Sequence, residues 1–384
     1  MNLRIFFDSI PEGVINYVFQ PNALMAFIEK HISDFPKWQN ASIAIIGVEE
    51  YRGSENKNGK RAAEFIRKQL YSLQKGAFDK KIVDLGNLRD GVNLEESHNR
   101  LKEVCAILFE HEVIPIIIGG GHDMSFGQFS AYQSLGKLIN VISADSIIDM
   151  FGSNEFGENK FHLHKMLVSE PPLLFHYAHL GYQSYLIEPR TIDILEKLHF
   201  ETYRLGQVRE KFEDIEPVIR DADMFSFDIS AIKRIDAPGN FYAQPFGFTG
   251  EEACQLCWYA GLSNKMSSIG FYEYNPSLDK DNQTASVIAT MIWYFIEGFQ
   301  LRKGKLEIND AAITKYIVSL PEEPHKITFY KDSRTEKWWI EMPFNYNKPD
   351  NANITIIPCS FSDYTAAING EIPTRWILTQ AKLH

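Results

Sequence analysis

The chain has 384 residues, a formal net charge of −11, 45% hydrophobic and 23% charged residues. Those values exclude a disordered chain and allow one large α/β domain with an appendage, or two ordinary domains. The acidic surplus is dispersed rather than gathered in a block, so it reads as a solubilising surface and disfavours nucleic-acid binding.

In chain order, short apolar runs at 42–48, 81–85, 113–118, 138–144, 224–227 and 267–272 predict strands. Helical spacing covers 61–74, 94–110, 251–260 and 284–301, the last with Val287, Ile288, Met291, Ile292 and Phe295 on one face. This alternation is the signature of a parallel sheet covered on both faces. After about residue 305 the texture changes: ITKYIVSL, KITFYKDSRTEKWWIEMPF and NITIIPCSF are β-branched, aromatic or alternating, with D-S-R-T as a hairpin turn. We read 305–384 as a small β-rich, antiparallel appendage, in which Trp338 and Trp339 are an edge-strand or interface anchor without chemistry.

No apolar stretch reaches the ~18 residues of a membrane span. The start, MNLRIFFDSIPEGVINYVF, is broken by Asp8, Pro11 and Glu12 and does not read as a signal peptide. The four cysteines are scattered, which suits a reducing compartment; a cytoplasmic, soluble protein is expected. Cys254 and Cys257 form a C-x-x-C inside the helical EEACQLCWYAGL, and with no second cysteine or histidine pair nearby they read as buried core thiols.

Ligands of open α/β sheets bind beyond the carboxyl ends of the strands. There the sequence is polar in a consistent way. The third predicted strand runs into Gly119, Gly120, Gly121 and His122; the fourth into Asp145, with Asp149 four residues on; the fifth into Asp228; the sixth into Glu273. Singly, each has a plain explanation as a hydrogen-bonded histidine or a helix cap. Together, an imidazole and several carboxylates at one sheet edge would repel, since two like charges ~4 Å apart cost roughly 4 kcal/mol at an effective dielectric of about 20. A divalent cation removes that cost, and a set rich in oxygen with one nitrogen suits Mn²⁺ or a similar ion better than Zn²⁺.

These residues resemble the ureohydrolases, the family of arginase, agmatinase and formimidoylglutamase. That family carries a glycine-rich turn with a metal-binding His, then D-A-H-x-D, S-x-D-x-D followed by P-G, and E-x-N-P. The counterparts are Gly119–Asp123, Asp145–Asp149, Ser226–Ser230 with Pro238-Gly239, and Glu273–Pro276. The likeness spans roughly residues 40 to 300, and GFYEYNP is closest to the formimidoylglutamase branch. It implies an arginase-like three-layer αβα fold, a doubly wound and mainly parallel sheet over 1–304. It also implies His122, Asp145, Asp149 and Asp228 as metal ligands, Glu273 orienting a cationic substrate nitrogen, and a homo-oligomer.

The departures from the family pattern concern its second metal. The positions of its two private ligands hold Ile147 and Ser230, so one divalent ion per chain is expected. The D-P that closes the family's S-x-D-x-D-x-x-D-P is replaced by Lys233 and Arg234, which either supply some of the lost positive charge or are solvated surface residues. The expected activity is metal-assisted hydrolysis of a C–N bond in a small formimino or guanidino compound, foremost N-formimidoyl-glutamate to glutamate and formamide. His162 and His164 are the candidates for a proton shuttle, with plain strand or loop residues in F-H-L-H as the equal alternative. The alternative is a binding or regulatory protein that kept the fold and one metal site.

Overall fold

The computed structural model describes all residues except 1, 16–19, 58, 151–157, 305–306, 322, 324, 343–354 and 384. Residue 305, where the change of texture was placed, is therefore outside the described residues.

Among the described residues, ten strands form the main sheet: β1 (Phe7–Asp8), β2 (Ile28–Lys30), β3 (Ile43–Gly47), β4 (Ile82–Leu88), β5 (Ile114–Ile118), β6 (Ile139–Ala144), β7 (Leu174–Tyr182), β8 (Glu201–Arg204), β9 (Met224–Asp228) and β10 (Ser268–Tyr272). Their order is β1-β4-β3-β5-β10-β9-β6-β7-β8, with β2 also on β4. Every pairing is parallel except β1 with β4.

Alternation along these strands builds the layers, because successive side chains leave opposite faces. Ile43, Ile45, Ile114, Ile116 and Ile118 join one core with Ile66 and Leu70 of helix Ala62–Ser72, Leu256 of Gly250–Leu262 and Ile292 of Gln283–Gln300. Ala44, Ile46 and Ile117 join the opposite core with Leu101, Val104 and Leu108 of helix Leu94–Glu110. Each fully buried isoleucine contributes roughly 1.5–3 kcal/mol. The doubly wound αβα arrangement expected from the sequence is the one observed. Strands β7 and β8 are additions to the predicted set: β7 reads LFHYAHLGY, and its histidines and tyrosines hide an otherwise buried strand.

A second, antiparallel sheet follows, ordered β11 (Ile313–Ser319), β12 (Lys326–Asp332), β13 (Trp338–Met342) and β14 (Thr355–Cys359). The D-S-R-T turn joins β12 to β13, with the Asp332 carboxylate accepting from the Arg334 backbone N–H at 2.9 Å. This part is not β-rich to its end. Helices Phe361–Ile368 and Thr374–Leu383 close it, the first started by a capping box between Ser360 and Asp363. Phe329, Ile340, Met342 and Trp376 form its own core.

The two tryptophans differ. β13 lies between β12 and β14, so neither is on an edge strand. Trp338 stacks on Tyr364 at 4.6 Å inside the small core, whereas Trp339 lies under the Arg220 guanidinium at 4.6 Å and anchors the small sheet to the main one. Arg220 also donates to the Trp338 carbonyl at 3.0 Å, and Arg375 reaches Asp221 at 3.3 Å. Cys254 and Cys257 are buried free thiols on Gly250–Leu262, with burial pushing both above the usual range.

Candidate metal centre

Sharp turns at the strand ends create the site. After β5 the chain reverses through Gly119 and Gly120 at φ +91° and +84°. A Cβ on Gly119 would fall 2.5 Å from the Val48 carbonyl, so only glycine fits this turn. The turn delivers His122 to the point where β6 ends at Asp145 and β9 at Asp228. Asp149 arrives from the loop after β6.

The imidazole Nδ1 of His122 stands 3.4 Å from Asp145 Oδ2, 3.3 Å from Asp149 Oδ2 and 3.3 Å from Asp228 Oδ2. These ligand atoms all lie within 4.8 Å of one another, and all four residues are buried. Each of the four atoms is buried without a hydrogen-bond partner among the described residues. Unpaired buried acceptors are costly, and so many converging on one point is what a cation site requires. The donor set of three carboxylate oxygens and one nitrogen fits a hard or intermediate divalent ion. Ser226 Oγ lies 2.8 Å from Nε2 of His122 and fixes the ring with Nδ1 aimed inward. Burial pulls the imidazole down, yet the three carboxylates hold it well above its ordinary range, so a proton and a cation compete for Nδ1.

The outward oxygens of the carboxylates are held differently. Asp145 Oδ1 accepts from Ser230 Oγ at 2.8 Å and from the Ile147 backbone N–H at 3.2 Å. Asp228 Oδ1 caps the turn after β9, accepting from the Ser230 N–H at 2.6 Å. Asp228 is thus both a cap and a member of the cluster. Asp149 Oδ1 faces the Lys160 ammonium at 3.5 Å.

Glu273 is fully buried at φ +66°. Its carboxylate accepts from the His122 N–H at 2.9 Å, Asn159 Nδ2 at 3.0 Å and Ser54 Oγ at 2.8 Å. Burial, then the nearby Asp228 charge, push it up to about 7. His162 packs its ring 4.1 Å from that of His122, and its Nδ1 donates to the Asn159 carbonyl at 2.9 Å. Burial and the neighbouring His122 lower it well below its ordinary range.

His162 and His164 were expected in a strand or loop; both lie on a short helix, His162–Leu167. Two residues turn a helix by about 200°, so side chains at i and i+2 diverge. His164 accordingly turns from the cluster and stacks on Phe161 at 4.4 Å. Lys233 and Arg234 are also elsewhere: Lys233 pairs with Asp236 at 3.3 Å and Arg234 is exposed. The cation at the cluster is Lys160, which the sequence reading did not single out, and its ring contact is Tyr242 at 3.9 Å. Burial pulls its ammonium down, but Asp149, Asp145, Asp228 and Glu273 outweigh that and raise it. Asn159, Ser54 and Asn240, whose Nδ2 donates to the Glu273 carbonyl at 3.0 Å, were missed as well. None follows a predicted strand, so no sequence signal marked them.

Fold and cluster define the class, a divalent-metal hydrolase built on a doubly wound αβα sheet. The chain belongs to the arginase family, whose model matches residues 41–297. It is 26% identical over 307 aligned positions to a formimidoylglutamase of Streptococcus pyogenes, which covers 73% of this chain and 92% of that protein. The fold is similar to that of Trypanosoma cruzi formiminoglutamase solved with Mn²⁺, at TM-score 0.66 and 20% identity over 73% of this chain and 99% of that one. The formimidoylglutamase of Bacillus subtilis gives 0.65 at 19% identity over 76% and 99%. The second sheet, from Ile313 onward, lies beyond the family match.

Proposed function

We propose that this protein hydrolyses a C–N bond of a formimino or guanidino group, with N-formimidoyl-glutamate as substrate, glutamate and formamide as products, and one Mn²⁺ per chain. The observation that carries the reading is the set of four inward ligand atoms of His122, Asp145, Asp149 and Asp228, converging within 4.8 Å and unpaired. When bound there, a divalent ion lowers the pKa of water and supplies Lewis acidity. The similarity to formimidoylglutamases supports the substrate. His162, packed against His122, is the group to which we assign proton transfer, since its Nε2 retains a lone pair when Nδ1 donates to Asn159. Glu273 presents negative charge toward a cationic substrate nitrogen.

The test is to load purified protein with Mn²⁺ and assay N-formimidoyl-glutamate, arginine and agmatine in parallel. Formamide release from the first, abolished by Asp149→Ala, is expected. No turnover of any of the three would favour a second reading, a metal-retaining binding protein. That reading has its own observation: Glu273 is already enclosed by Ser54, Asn159 and the His122 N–H. A homo-oligomer belongs to the proposal too, and light scattering that gave a monomer at all concentrations would remove it.

A further inference from the structure

The three aspartates each divide their oxygens between two directions. Inward, one oxygen of each meets His122 Nδ1 at 3.3–3.4 Å. Outward, where the family pattern places a second ion, Asp145 and Asp228 are taken up by the Ser230 hydroxyl and backbone N–H. Asp149 turns its outward oxygen to Lys160. The ammonium is confined from its other side by the Tyr242 ring at 3.9 Å, and its side chain is only 13% exposed. Lysines are seldom buried unless paired. Here the partner is one of the proposed metal ligands, and the neighbourhood also holds Asp145, Asp228 and Glu273. Isoleucine at 147 and serine at 230 remove two ligands from the second position; a buried ammonium on Asp149 restores positive charge to a cluster that those changes would otherwise leave more negative.

We propose that the Lys160 ammonium, paired with Asp149 at the cluster, supplies the positive charge of the second metal ion, so that the centre consists of one divalent ion and one fixed organic cation. This rests on the one-ion reading above. In that role Lys160 is a positioning residue. It neutralises the outward side of Asp149, holds that carboxylate with its other oxygen turned toward His122 Nδ1, and by like charge keeps a second cation out. The replacement also makes the loss of the two ligands a coordinated change rather than decay, because three positions then act together.

The experiment counts Mn²⁺ by elemental analysis and reads its spin coupling by electron paramagnetic resonance in three proteins. The wild type should bind one ion with an uncoupled spectrum. The double variant Ile147→His with Ser230→Asp should still bind one, because the ammonium stays. The triple variant, with Lys160→Met added, should bind two with a coupled signal. Two ions in the double variant, or one in a folded triple variant, overturns the role of Lys160 and leaves the one-ion reading standing. No ion or two ions in the wild type overturns the one-ion reading itself. Should the triple variant not fold, Lys160→Met alone decides. Removing a fixed positive charge should tighten Mn²⁺ binding at least tenfold by calorimetry, with Lys160→Arg near wild type. Unchanged or weaker binding, as from a lysine that only props the loop, overturns the proposal.

Discussion

Two buried clusters of charge lie in the same sheet, and they are built on opposite principles. At the β4 side, Arg67 and Asp84 are both fully buried. The pair is bidentate, with Nε to Oδ2 and Nη2 to Oδ1 both at 2.9 Å. The Tyr71 hydroxyl adds a donor to Oδ2 at 2.8 Å, and the Gly86 N–H one to Oδ1 at 3.0 Å. Neither carboxylate oxygen is unmet. At the β5–β9 side, three carboxylates and one imidazole converge with their inward atoms unpaired. Burial is alike in the two places, so it does not separate structure from function. Hydrogen-bond completeness does: a closed network is an end in itself, and an open one is shaped for something that completes it.

The comparison breaks most readily at its closed member. Arg67→Met should leave Asp84 buried and uncompensated and cost about 3–5 kcal/mol of stability, read by urea unfolding. Replacing both partners by apolar residues should cost far less. If the single change is tolerated within experimental scatter, the closed network does not act as a unit.

The open member should respond to metal instead. Chelation followed by Mn²⁺ at a hundred times its Kd should return about 2.7 kcal/mol of stability, visible as a rise in Tm. The Arg67→Met protein should show the same increment, since the two clusters share no partner.

A finer test is Asp228→Asn, in which the amide oxygen can still cap the turn by accepting from the Ser230 N–H. The metal-free variant should be no less stable than wild type, because one of the converging like charges is gone, while its Mn²⁺-dependent Tm shift disappears. A large loss of stability without metal would mean that Asp228 is there for the fold.

The smallest effect comes from Glu64, a buried carboxylate flanked by two more exposed cations. Glu64 is bound by Arg61 and Lys68, and chiefly through Arg61 its carboxyl falls from 4.5 to about 2. A lowered carboxyl contributes stability above its unfolded value and loses it as pH falls from 4.5 toward about 2. Because Arg61 is well exposed, solvent screening should keep the difference between wild type and Glu64→Gln below about 1 kcal/mol.

What the sequence disclosed follows from locality. His122, Asp145, Asp228 and Glu273 were legible because each follows an apolar run, and a parallel sheet brings such ends to one edge whatever the loops do. Strand β7 was obscured by inward histidines and tyrosines that satisfy one another, as Tyr177 and His179 do at 2.9 Å. Lys160 was illegible because its meaning depends on where a loop lands. Helix His162–Leu167 is too short for a periodic signal, and with it went the choice between His162 and His164. Arg67 lies within the predicted helix 61–74 and its partner Asp84 on the next strand, so no local pattern marked the pair.

The Arg220 contacts bear on where this polypeptide can be shortened. Arg220 ends a short helix four residues before β9, and its guanidinium is spent on the Trp338 carbonyl and the Trp339 ring. Cutting the chain after residue 304 would uncover that guanidinium and deprive Asp221 and Glu201 of Arg375. A shortened protein would therefore expose a charged flank, held by the remaining pairs of Arg220 with Glu216, Asp221 with Lys265 and Glu201 with His176, beside the strand that ends in Asp228.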